Sequence, residues 1–186
     1  MKTIVRMVDV PINDWNNQTK GTVTLEIADG EFVLLQGPNG SGKSYLLNLM
    51  AALRVPSVGE VFLEGKRLTT MRERQKRAWR AGLGLIPSEP VLLNGYTVLE
   101  GLVLTAQLLG KSAADAKRNA LESASLCVLD PYLNARAESL SVGVKKRVVI
   151  ARSLVNQPRF DSCGFSIGRG WDDQARGSSF SIFAPS

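Results

Sequence analysis

Residues 37–44 read Gly-Pro-Asn-Gly-Ser-Gly-Lys-Ser and carry the spacing G-x-x-x-x-G-K-[ST] of a loop that wraps a phosphate. Gly37, Gly40 and Gly42 free the backbone to curl so that its N–H groups face an anion, with Pro38, Asn39 and Ser41 completing the loop. Lys43 is placed to reach β- and γ-phosphates, and the Ser44 hydroxyl to ligate Mg²⁺. A glycine-rich turn alone would match this pattern by chance, so the flanks decide. Phe32-Val33-Leu34-Leu35 reads as a buried strand before the loop, and residues 45–53 carry helical periodicity after it. Strand, loop and helix N-terminus together predict a nucleoside triphosphate site.

The elements that must position this loop fit a chain of 186 residues, enough for one α/β domain with a small insertion. At 44% hydrophobic, the chain has enough apolar residues for a core. No run of about eighteen apolar residues occurs, so no membrane span is expected. The most apolar candidate helix is interrupted by Glu100 and Gln107. Residues 1–6 lack the apolar core of a signal peptide. Cys127 and Cys163 stand apart and the chain has no histidine, which argues against structural zinc and for a reducing compartment. The net charge of +6 is concentrated in Arg72, Arg74, Lys76, Arg77 and Arg80, and again in Lys145, Lys146 and Arg147. No aromatic residues interleave with these clusters to stack bases. A solvated helical face near anionic lipid headgroups therefore fits better than a nucleic-acid groove.

Periodicity and punctuation predict strands at 3–10, 22–28, 59–65 and 82–86, the last stopping at Pro87. Helices are expected at 70–81, 97–109, 112–128 and 143–156, with Ser112 as an N-cap. The reading is an α/β core interrupted by a helical block.

This layout resembles the ATP-binding cassette (ABC) ATPases, the motor subunits of ABC transporters, from about residue 3 to residue 159. Besides the phosphate loop, residues 140–154 look like the family signature L-S-G-G-Q followed by x-x-R-V-x-I-A-R-A-L. The stretch from Met71 to Ile86 is similar to cassettes of the lipoprotein-release, macrolide-export and cell-division group. The resemblance implies a P-loop NTPase core over residues 1–159 with a helical subdomain at about 89–142. It implies ATP and Mg²⁺ as cofactors, and head-to-tail dimerisation with a second ABC ATPase subunit, identical or different. It also implies a transmembrane permease as partner, no nucleic acid, and a cytoplasmic place at the inner face of the membrane. Ser141 and the Gly143 backbone would then donate to the γ-phosphate held by the opposite subunit. Thr97-Val98-Leu99-Glu100 resembles the start of the subdomain that docks on the permease. Trp15 is the candidate for stacking on adenine, though a loop tryptophan equally suits packing or a partner contact.

Several positions depart from the family pattern. Val142 replaces the first signature glycine and Val144 the glutamine. Ser88 stands where the family places a glutamine that contacts Mg²⁺ and water, and no histidine exists to act as the switch residue. After Pro158-Arg159 the family has an apolar strand ending in Asp-Glu; this chain instead has Phe160-Asp161-Ser162-Cys163-Gly164, and no glutamate follows Glu138. The core strands at the C-terminus are thus expected to be missing or altered, with 160–186 an aberrant, poorly ordered tail. ATP binding is expected to survive on the loop, and hydrolysis to be impaired. Three alternatives stand beside an active transporter subunit: a non-catalytic partner of an active cassette, a non-functional product of a frameshifted gene, and, more distantly, a P-loop small-molecule kinase. As a hypothesis for the break, bases encoding Phe160 to Arg169 can be read one position later as Leu-Ile-Leu-Ala-Asp-Ser-Pro-Leu-Gly, close to the missing strand. Asp172 to Arg176 then resembles the segment that follows it in the family. Coding DNA without the required bases would sink this idea.

Overall fold

Alternating apolar residues build the first sheet. In the computed structural model, which describes residues 2–13, 19–31, 33–38, 40–87, 89–156, 164–166 and 178–183, β1 (Thr3–Asn13) pairs antiparallel with β2 (Thr19–Ala28). Val5 lies opposite Ile27 and Met7 opposite Leu25. On its other side β1 pairs antiparallel with β4 (Glu60–Leu63), Met7 opposite Val61. Val5, Met7, Ile27, Val61 and Leu63 are fully or almost fully buried, as strands with one face on a core require. The strand predicted over 59–65 is β4, and it runs directly into a tight hairpin. The chain turns at Glu64 (φ 45°) and Gly65 (φ 75°) into β5 (Lys66–Arg67). Positive φ at both central residues gives the turn whose twist matches the flanking strands.

The strand before the phosphate loop, β3 (Val33–Gly37), is followed by α1 (Lys43–Met50). Leu46, Leu47, Leu49 and Met50 of α1 are buried, which gives the helix its apolar face. The expectation of a buried β3 needs correction: its exposure alternates, and Leu34 is 41% exposed. Its neighbour in the sheet is β8 (Ser178–Phe183), antiparallel, with β7 (Gly164–Ser166) beyond it. The described parts of the C-terminal segment are therefore two short strands, and the rest of 160–186 lies outside the described residues.

A basic helix, α2 (Glu73–Ala81), is fastened to the C-terminal end of α1. Trp79 is 9% exposed, and its indole N–H donates to the Met50 carbonyl at 2.8 Å. Arg80 donates to the Ala52 carbonyl at 2.6 Å. Both donors meet orphan carbonyls at a helix C-terminus, where a cation also complements the dipole. Trp79→Ala should cost about 3–5 kcal/mol, read as a lower urea midpoint. Trp79→Phe keeps most of the volume and should lose only the hydrogen bond, about 1–3 kcal/mol.

The residues fall into two compact units, Met1–Leu83 with Arg159–Ser186, and Gly84–Pro158. The second holds β6 (Leu85–Ile86), α3 (Val98–Leu108), α4 (Ala113–Leu126) and α5 (Val142–Leu154). Leu102 and Ala106 of α3, Ala116, Ala120 and Ala124 of α4, and Val144 and Val148 of α5 form its core with Leu129 and Leu140. The i, i+4, i+8 alanines of α4 let the helices approach closely. Among the described residues no helix is long and apolar enough to cross a membrane.

Candidate functional site

The phosphate loop leaves β3 at Gly37 and enters α1 at Lys43. At Gly37 (φ 155°) a Cβ would sit 2.9 Å from the Ser41 hydroxyl oxygen, so only glycine leaves the loop this tight. Gly42 caps α1 in the left-handed region (φ 83°), which turns the first helical N–H groups toward the loop. Ser41 N–H donates to the Pro38 carbonyl at 3.2 Å and closes the curl.

Lys43 is 7% exposed, and its ammonium is held by three oxygens of the loop. Nζ donates to the Gly37 carbonyl at 2.6 Å, the Pro38 carbonyl at 2.7 Å and the Ser41 hydroxyl at 3.1 Å. Burial pulls the ammonium below the usual lysine range, and three acceptors favour its charged form. The side chain is thus a fixed positive charge rather than a freely rotating one. Ser44, in the first turn of α1, is exposed and free of the core. The loop therefore fits a triphosphate with its metal: glycine-lined backbone, an immobilised cation, and a hydroxyl available as a metal ligand. Pro38 and Gly40 are exposed at the loop rim. Asn39, Trp15 and Ser88 lie outside the described residues. Among the described residues no group of three His, Cys, Asp or Glu side chains is gathered to hold a metal by itself.

The signature residues belong to the second unit. Ser141 is the N-cap of α5, its hydroxyl accepting from the Val144 N–H at 3.4 Å. Gly143 lies in the first turn, with open space where a Cβ would go. The two valines have different fates. Val142 is 64% exposed at the head of the helix, while Val144 is 6% exposed inside the core. Val144 thus gains packing in the core, and Val142 adds an exposed β-branched group at the N-terminus of α5. The phosphate loop and Ser141 sit on different units.

Two sets of contacts went unread in the sequence. Thr97 and Glu100 form a capping box: Thr97 N–H donates to the Glu100 carboxylate at 2.8 Å, and Glu100 N–H to the Thr97 hydroxyl at 3.2 Å. The spacing T-x-x-E before an apolar run was the available signal. Arg152 donates to the Val91 carbonyl at 2.9 Å and lines a shallow groove with Leu92, Tyr96, Gly101 and Thr105. No local pattern reveals that pairing, because 61 residues separate the partners.

Hydrogen bonds from Thr97, first through its backbone and then its hydroxyl, hold the Glu100 carboxyl below the ordinary range. Asp115 is held down likewise by Ser112 and then Arg118. A carboxylate whose folded value is depressed contributes stability above its unfolded value and loses it as pH falls through the folded one. The helical unit should therefore loosen on acidification below the ordinary carboxylate range. Thr97→Ala should lower stability by about 1 kcal/mol at neutral pH and flatten that acid dependence, measured by circular dichroism melts between pH 3 and 7 in roughly one-unit steps.

A family model described as ABC transporter matches residues 21–161. The chain is 40% identical over 147 residues to the lipoprotein-releasing system ATP-binding protein LolD of Ehrlichia ruminantium (strain Gardel), covering 77% of this chain and 64% of that protein. It is 36% identical over 135 residues to LolD of Xanthomonas oryzae pv. oryzae (strain MAFF 311018), covering 72% and 55%. Among solved structures, an ATP-binding cassette captured as a dimer in a post-hydrolysis state with ADP and Pi superposes with a TM-score of 0.71. Identity there is 28%, over 83% of this chain and 71% of the other. The chain spans less than two thirds of the length of the LolD proteins named here.

Proposed function

The chain belongs to the ABC transporter family, and from that premise we propose that it is an ATP-binding subunit of a transporter of the lipoprotein-releasing type. It binds Mg-ATP at residues 37–44 and pairs head to tail with a second cassette, the same chain or another, beneath a transmembrane permease. It works at the cytoplasmic face of the membrane, driving transport across it or extraction from it. The observation that carries this reading is the Lys43 ammonium, fixed by the Gly37 and Pro38 carbonyls at the N-terminus of α1. There a triphosphate meets a rigid charge, the loop amides and the helix dipole together. Ser44 would help hold magnesium, whose charge would offset that of the phosphates. In the second unit, Val91, Leu93 and Tyr96 are exposed beside the Arg152 groove, a surface suited to the permease.

Hydrolysis is the weaker half of the activity. Ser88 in place of glutamine, and residues 159–186 without a glutamate where the Asp-Glu strand is expected, favour a second reading, a non-catalytic nucleotide-binding partner of an active cassette. Equilibrium dialysis against labelled ATP tests the binding common to both readings. One saturable, magnesium-dependent nucleotide per chain is expected. No saturable binding by a cooperatively folded chain would overturn both.

A further inference from the structure

The first unit carries a surface that nucleotide binding does not use. Along α2, Arg74 and Arg77 point to solvent and have no ion-pair partner among the described residues. The only acid of the helix, Glu73, is engaged by Lys76 at 3.1 Å and Arg80 at 3.7 Å. Three residues apart, Arg74, Arg77 and Arg80 follow one stripe of the helix. That stripe leads to Ala52, whose carbonyl Arg80 holds, and the chain continues there as Leu53-Arg54-Val55. Leu53 is 54% exposed, Val55 46% and Val58 65%, and Arg54 is exposed between the first two. An arginine stripe running into exposed aliphatics is the composition of an interfacial surface, where cations meet headgroup phosphates and apolar side chains enter the acyl boundary. The one aromatic of α2, Trp79, is buried, so no ring is offered for stacking on bases. An acidic peptide would satisfy the arginines but not the aliphatics.

We propose that the α2 arginine stripe and the segment 53–58 form a docking face for anionic lipid headgroups. The face is tied to the nucleotide site, because Trp79 and Arg80 bond the carbonyls at the end of the phosphate-loop helix. The choice of lipid as partner rests on the membrane-linked reading above, but the lipid face does not require ATP binding, and the two can fail separately.

The test is co-sedimentation of the purified chain with vesicles of phosphatidylcholine alone or with about a third phosphatidylglycerol, at low and high salt. Each interfacial arginine contributes roughly fivefold in partitioning onto an anionic surface, so Arg74→Gln with Arg77→Gln should weaken binding roughly 25-fold. Binding should fall steeply with salt. Leu53→Ser with Val55→Ser should weaken it as well, and Lys117→Glu, on an exposed face of α4, should leave it unchanged. ATP-induced stabilisation measured on the same samples reports the nucleotide site independently. Equal binding to both vesicle types, or undiminished binding by the folded double-glutamine variant, would overturn the proposal. Capture by polyglutamate without capture by anionic vesicles would also overturn it and assign the face to an acidic protein.

Discussion

Steady-state ATP hydrolysis by the purified chain should run at least about a hundredfold slower than that of a LolD-type cassette with the intact Asp-Glu strand. Phosphoryl transfer leaves little covalent work for the protein, so the rate depends on positioning the water and neutralising charge. The chain keeps the charge-neutralising part, with Lys43 locked by three oxygens. The proposed slowing rests on the water-holding positions: Ser88 is shorter than the glutamine expected there, and residues 159–186 hold no glutamate where the Asp-Glu strand is expected. A positioned general base contributes about 10²–10⁴-fold, so its loss alone removes most of the rate. A coupled-enzyme assay on the chain alone decides the matter, and turnover equal to that of an intact cassette would mean that another group orients the water. Mixing the chain with an active cassette separates the two readings of its role. A non-catalytic partner should raise turnover of the mixture without hydrolysing ATP itself.

Lys43→Ala should nearly abolish nucleotide binding while leaving the protein folded. The ammonium is placed to bond both β- and γ-phosphates, and charge-assisted hydrogen bonds are worth about 1.5–3 kcal/mol each, so its loss should weaken ATP binding by roughly 10²–10⁴-fold. The effect on the fold is smaller because two costs oppose each other. The Gly37 and Pro38 carbonyls lose their donor, but a buried cation is also removed. Lys43→Arg should not rescue binding, since a planar fork cannot direct its donors into the same three-oxygen cage as a tetrahedral ammonium. Isothermal titration with Mg-ATP reads both variants. Wild-type affinity in Lys43→Ala would show that the loop backbone alone carries binding.

Which parts were legible follows from how local each signal is. The phosphate loop could be read because glycine spacing, lysine and the flanking periodicities fall within about twenty consecutive residues. Strands 3–10 and 22–28 and the helices of the second unit were legible for the same reason, and each was found within a few residues of its observed end. Ser112 caps α4 as expected, accepting from the Asp115 N–H. The half-open β3 was not legible, because burial of a strand depends on its neighbours and not on its own apolar run. The hairpin at Glu64-Gly65 was hidden because Glu64 is an unusual residue at positive φ. The anchoring of α2 to α1 and the Arg152–Val91 bond are long-range pairings of side chains with carbonyls, which leave no periodic trace. Val142 and Val144 look alike in sequence, and only their exposure separates a core residue from one at the helix head.

The decisive measurement is a thermal melt of the chain with and without Mg-ATP, with Lys43→Ala alongside. A ligand at a hundred times its Kd adds about 2.7 kcal/mol of stability, a rise of roughly 5–10 °C for a chain of this size. A cooperative transition raised by that amount in the wild type and unmoved in Lys43→Ala is the predicted result. A broad transition indifferent to Mg-ATP would contradict the account, because residues 37–44 would then bind no nucleotide in the chain as it stands.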